Sequence, residues 1–211
     1  MGLDYSYMLY FRRDQLADVL KGVSDMAEHH HPHSQIVFPD ELLEIPLDSW
    51  LSEGEIIRYD DPELSFSTAL IFDEDEAIMD WSHGQVVEGS FRSPPGMESV
   101  NPVSVGYIYL TVYNDLSQYY PEIVLDLKDL VLFNFGTTGT RMSKMFYYSI
   151  SIRKRFTELL RKYDGVCGLF DDEEKGEVFW LNGKEVNGFV DDPWLHPEEI
   201  EQELSERGTN S

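Results

Sequence analysis

Cysteine is almost absent. Cys167 is the single one in 211 residues, so no internal disulfide can form, which suits a reducing compartment. Basic residues are also few: 16 Lys and Arg stand against 40 Asp and Glu, a net charge of −24 with neutral histidines. That balance disfavours nucleic acid and anionic membranes, because both are held by clustered Lys and Arg. No apolar run approaches the roughly 20 residues that span a bilayer. The opening Met1–Ser6 has neither a basic n-region nor a small-residue cleavage site. A cytoplasmic protein with no nucleic-acid or membrane partner is therefore expected. Catalytic signatures are missing as well. There is no Gly-x-Ser-x-Gly elbow, no His-Glu-x-x-His and no paired-cysteine metal motif, so no cofactor is expected and a non-enzymatic role is favoured.

What is present is the material for a core. Hydrophobic residues make up 42% of the chain and aromatics 13%, enough to bury a folded interior despite the charge. The charge is uneven. Residues 1–50 carry −6, residues 51–100 carry −10, residues 101–164 carry +2 and residues 165–211 carry −10. One mildly basic stretch thus lies inside an acidic chain, a polarity that bears on partners rather than on the fold.

Residue spacing predicts the elements. Tyr5–Phe11 is aromatic-rich and reads as a strand. From Asp14, Leu16, Val19, Leu20, Val23 and Ala27 recur on one helical face until Pro32. Ile36–Phe38 and Leu42–Leu47 flank a turn at Pro39-Asp40-Glu41. Leu64–Phe72 and Ala77–Trp81 read as strands around an acidic turn, and residues 82–102 as a long Ser-, Gly- and Pro-rich loop. Val103–Tyr113 alternates, with Ile108, Leu110 and Val112 facing one way and Tyr107, Tyr109, Thr111 and Tyr113 the other. After a strand at Leu130–Phe135, the apolar positions Met142, Met145, Phe146, Ile152, Phe156, Leu159, Leu160 and Tyr163 predict one helix of about six turns, stopped by Gly165. A meander follows, with a type I′ signal at Asn182-Gly183, then a short acidic helix from Pro197. Residues 5–47 and 130–187 share the order strand, helix, hairpin. The expected fold is α+β: a mainly antiparallel sheet with helices packed on one face, containing two strand–helix–strand–strand units. Residues 1–207 form a single domain in this reading, and residues 208–211 a frayed tail.

Four features bear on chemistry. His29, His30, His31 and His33 are four of the six histidines, and imidazoles ligate zinc, copper and nickel. Neighbours in a row cannot all face one ion, and a polar helix end accommodates them as well. The loop Gly136, Thr137, Thr138, Gly139, Thr140 and Arg141 lies between a strand and a helix, where backbone N–H groups, hydroxyls and a guanidinium can hold an anion. It departs from the Walker A spacing, and a tight capped strand-to-helix turn is the favoured reading of it. Lys144, Ser151, Arg155 and Lys162 form a stripe on the following helix, interrupted by Glu158. Tyr107, Tyr109 and Tyr113 present amphipathic rings suited to an interface or a ligand. Asp171–Gly176 suggests a calcium loop, but Lys175 stands where the third ligand belongs.

The runs Gly2–Phe11, Phe135–Ser143 and Ser151–Lys154 together resemble a bacterial protein family with no established activity. The resemblance implies a bacterial cytoplasmic origin and assigns no catalytic residue. Two functional readings follow from the residues. The first is an acidic interaction protein, an inhibitor or immunity-type partner that covers a basic target. The alternative is a binder of a small anion or other small ligand, or an enzyme, with its site built from Gly136–Arg141 and the tyrosine-lined sheet face.

Overall fold

A computed structural model describes residues 3–28, 32–50, 56–82, 102–116, 127, 129–137 and 139–208. The chain runs β1 (Ser6–Arg12), a 3-10 turn (Arg13–Gln15), α1 (Leu16–Ser24), β2 (Ser34–Val37), β3 (Leu42–Ile45), β4 (Asp48–Ser49), β5 (Ile57–Arg58) and β6 (Glu63–Asp73). It continues through α2 (Glu76–Ser82), β7 (Pro102–Tyr113), β8 (Leu130–Gly136), α3 (Thr140–Tyr148) and α4 (Ile150–Lys162). It closes with β9 (Cys167–Asp171), β10 (Gly176–Leu181), β11 (Lys184–Val190) and α5 (Pro197–Gly208).

Eight strands form one sheet in the order β11-β10-β9-β1-β8-β7-β6-β4, every neighbouring pair antiparallel. The α+β class and the mainly antiparallel sheet are as the residue pattern predicts. β1 is the central strand, and its apolar run is unbroken because both its faces are covered. Tyr7, Leu9 and Phe11 join Phe133, Phe135, Ile108 and Leu110 beneath α1, α3 and α4. Burial pushes the Tyr7 hydroxyl up to about 12, so it stays a donor, and it bonds the Phe146 carbonyl at 3.2 Å near the end of α3. Met8 and Tyr10 point to the opposite face, where Cys167, Leu169, Val178 and Ile200 of α5 form a second cluster. Helices are thus not confined to one face, and α5 covers part of the other.

The two strand–helix–hairpin stretches keep their predicted order but use their hairpins differently. β9 and β10 join the main sheet beside β1, whereas β2 and β3 belong to a separate three-stranded sheet, β3-β2-β5. Helix α1 ends at Ser24, well before Pro32, because the next residues are drawn to β6. Ala27 bridges Leu70, Glu28 N–H bonds the Ala69 carbonyl and Ile71 N–H bonds that of Met26. The Asn182-Gly183 turn has φ values of 48° and 81°, as a type I′ hairpin requires.

Two expectations are corrected. Ala77–Trp81 lies in helix α2 rather than a strand, because the Asp75 carboxylate accepts the Ile78 N–H at 2.9 Å and starts a helical turn. The long helix is broken at Ser149, whose backbone is extended (φ −75°, ψ 117°). Ser149 Oγ caps α4 through Ile152 N–H, and Asp75 Oδ2 accepts both Ser149 Oγ–H and Ser151 N–H. The end of α4 is set by Asp164, which takes the left-handed conformation at φ 46°. Gly165 completes that stop, its N–H bonding the Leu160 carbonyl at 2.7 Å, and it also answers a packing need, since a Cβ there would lie 2.3 Å from Leu160 Cδ2.

Candidate functional site

The loop from Gly136 to Arg141 works mainly as a staple. Gly136 is part of β8 and pairs with Ser6 and Tyr109. Thr137 is buried, its hydroxyl 2.6 Å from Ser143 Oγ. Ser143 Oγ–H bonds the Leu3 carbonyl, and Leu3 N–H bonds Thr140 Oγ1 at 3.1 Å. These hydroxyls therefore hold the N-terminal segment against the start of α3. Gly139 is extended and offers no side-chain cap, and Thr138 lies outside the described residues.

Arg141 and the tyrosines do not share a site. Arg141 projects from α3, which packs on the sheet face carrying Ile108 and Leu110. Tyr107 and Tyr109 alternate with those residues and are exposed on the other face, where Tyr109 meets Trp50 edge-on at 4.9 Å. Tyr113 is buried against Trp194. The predicted basic stripe is split by the break at Ser149, and Arg155 is engaged by Glu158 at 2.7 Å. His33 is exposed, its Nδ1 3.2 Å from Asp48 Oδ1. His29, His30, His31 and residues 83–101 lie outside the described residues. Among the described residues no three His, Cys, Asp or Glu side chains are grouped as a metal requires.

What the structure brings together lies around the α3–α4 junction. Tyr147, Tyr148 and Ile150 are 43%, 69% and 78% exposed, an apolar ridge on a chain that buries most of its large side chains. Tyr147 and Tyr148 stand edge-to-face at 4.9 Å. On one side, the acidic turn before α2 abuts the ridge, since Asp75 bonds both Ser149 and Ser151. On the other, Tyr147 packs on Tyr5 (6.2 Å) and on Phe170 (5.7 Å) of β9. β9 ends on Asp171, and the turn after it carries Asp172, Glu173 and Glu174. Phe170, against which Tyr5 and Tyr147 pack, leads directly into that turn, and partial burial, then the carboxylates of Asp172, Glu173 and Glu174, push the Tyr5 hydroxyl above its ordinary value. Acidic turns therefore lie on two sides of the aromatic surface, while Arg141 and Lys144 lie near Tyr148, and Arg153 and Lys154 near Ile150.

A groove of about 540 Å³ opens between α2 and α3, lined by Glu76, Ala77, Asp80, Trp81, Arg141, Lys144, Met145 and Tyr148. Arg141 Nη2 donates to the Asp80 carbonyl at 2.8 Å and so pins the last turn of α2. Sequence reasoning missed both the ridge and the groove. The ridge had a signal, because Tyr147, Tyr148 and Ile150 are the large apolar residues that fall off the buried stripe of Met142, Met145, Phe146, Ile152 and Phe156. The groove had none, since its wall is the helix misread as a strand.

Comparison with known proteins returns no match to a family, a curated protein or a solved structure. Among the described residues, no helix is long and apolar enough to cross a membrane.

Proposed function

We propose that the protein binds a basic protein partner and covers its positively charged surface, as an inhibitor or immunity-type protein does to a nucleic-acid-binding enzyme or toxin. The observation that carries this reading is the ridge of Tyr147, Tyr148 and Ile150, exposed between the acidic turns at 73–76 and 171–174. Aromatic side chains are the usual anchors of interfaces, and exposed apolar area rimmed by charge is a mark of a binding surface. The flanking carboxylates, on a chain of net charge −24, would steer a cationic partner into contact and repel acidic ones.

The test is site-specific photo-crosslinking in the native host, with the crosslinking side chain placed at Tyr148 or, as a control, at Tyr107 on the opposite sheet face. A basic protein captured at position 148 and not at 107 is expected. With that partner purified, replacing Asp172, Glu173 and Glu174 by amides slows association about tenfold at low salt, and Tyr148→Ala chiefly speeds dissociation. Equal capture at both positions, or an acidic partner, overturns the reading.

A further inference from the structure

We propose that the groove between α2 and α3 binds a small zwitterion, one that bears a carboxylate, an ammonium and an aromatic or large apolar body. The inference does not rest on the basic-partner reading, and it replaces the anion site expected from the 136–141 loop. Its volume of about 540 Å³ suits a small molecule. Its two walls carry opposite charge. Arg141 and Lys144 are one turn apart on α3, and Glu76 and Asp80 are one turn apart on α2, so each pair shares a helical face. Arg141 reaches across to the Asp80 carbonyl, whereas among the described residues the Lys144, Glu76 and Asp80 side chains form no ion pair with each other. Trp81 of α2 and Tyr148 of α3 add aromatic surface to the lining.

A simple anion would meet Glu76 and Asp80, and a simple cation would meet Arg141 and Lys144. Only a ligand carrying both charges satisfies both walls. In this placement Lys144 takes the carboxylate, with Arg141 adding positive potential. Glu76 and Asp80 take the ammonium, and the body lies on Trp81 and Tyr148.

The experiment is a titration of the full chain followed by NMR, reading the Trp81 indole N–H, assigned through Trp81→Phe. The probes are L-phenylalanine, phenethylamine (no carboxylate), 3-phenylpropionate (no ammonium) and glycine (no body), all at one ionic strength. L-phenylalanine is expected to shift the indole signal saturably, and each of the other three to bind at least fivefold more weakly. Lys144→Gln and Asp80→Asn each weaken L-phenylalanine about fivefold, as expected for exposed charge pairs. Glu206→Gln on α5, the same kind of charge removal far from the groove, leaves it unchanged. Circular dichroism of each variant separates lost binding from lost fold. No saturable shift, 3-phenylpropionate or phenethylamine binding as well as L-phenylalanine, or unchanged affinity in both groove variants would each overturn the proposal.

Discussion

Asp171 ends β9 half-buried, with its Oδ1 accepting the Glu173 N–H at 2.8 Å. Burial first, and then the carboxylates of Asp172, Glu173 and Asp192, raise its pKa above the ordinary value. The sign of the effect on stability follows from linkage. A raised folded-state pKa means that the native protein binds this proton more tightly than the unfolded chain. Stability is therefore lost as pH climbs from the unfolded carboxyl pKa through the folded one, and the loss persists at neutral pH. Asp171→Asn keeps an oxygen for the Glu173 N–H and removes the charge. Its melting temperature should exceed that of the parent at pH 7, and the two should converge below about pH 3, where the carboxyl is protonated in both states. A lower melting temperature at pH 7 would mean that the charge-assisted turn bond outweighs the repulsion. Residue identity alone indicated the acid cluster but not this shift, which depends first on the burial of Asp171 in the fold and only then on its acidic neighbours, Asp192 beyond β11 among them. Arg141 shows the same limit. Its charge was visible in the chain, but the face it occupies depends on α3 packing against Ile108 and Leu110.

At the scale of elements, Asp75 is the joint between α2, α3 and α4. One carboxylate oxygen starts α2 through Ile78 N–H, and the other receives Ser149 Oγ–H at 2.7 Å and Ser151 N–H at 2.9 Å. Removing it takes away a helix cap and two charge-assisted bonds together. Asp75→Ala should cost about 2–3 kcal/mol in urea unfolding. It should also raise amide exchange within residues 76–82 ahead of the rest of the chain. Exchange that rises uniformly instead would show that α2 is held by its own packing, through Ile78, and not by this joint. The joint explains what was and was not legible in the chain. β1, β8 and the Asn182-Gly183 turn were readable because each is fixed by its own residues: period, apolar run or turn chemistry. The break at Ser149 was not, because Asp75, distant in sequence, decides it, and α2 was not, because its local cap at Asp75 sits in an acidic run that reads as a turn. The early end of α1 belongs with them, since Met26–Glu28 give up helical bonds for backbone bonds to Ala69 and Ile71.

The whole molecule must hold 40 acids and 16 bases on one folded chain. Several of the bases are already paired with acids: Arg153, half-buried, forks onto Glu177 with two bonds of 2.8 Å, and at the surface Arg207 meets Asp191 at 2.8 Å. What remains is carboxylate repelling carboxylate over distances comparable with the Debye length, the range that salt screens. Two opposite salt dependences follow. Folding should be favoured by salt: raising NaCl from about 10 mM to about 500 mM should lift the melting temperature by several degrees, since roughly 1 kcal/mol moves a domain of this size by about 2–4 °C. Association with a basic partner should be slowed by the same change, because salt screens the attraction that steers it. Measuring both on one sample separates the two roles of the charge. A melting temperature that falls with salt would show that the local ion pairs outweigh the general repulsion. An association rate insensitive to salt would mean that the acidic turns beside Tyr147 and Tyr148 do not steer, leaving the exposed aromatic ridge to act alone.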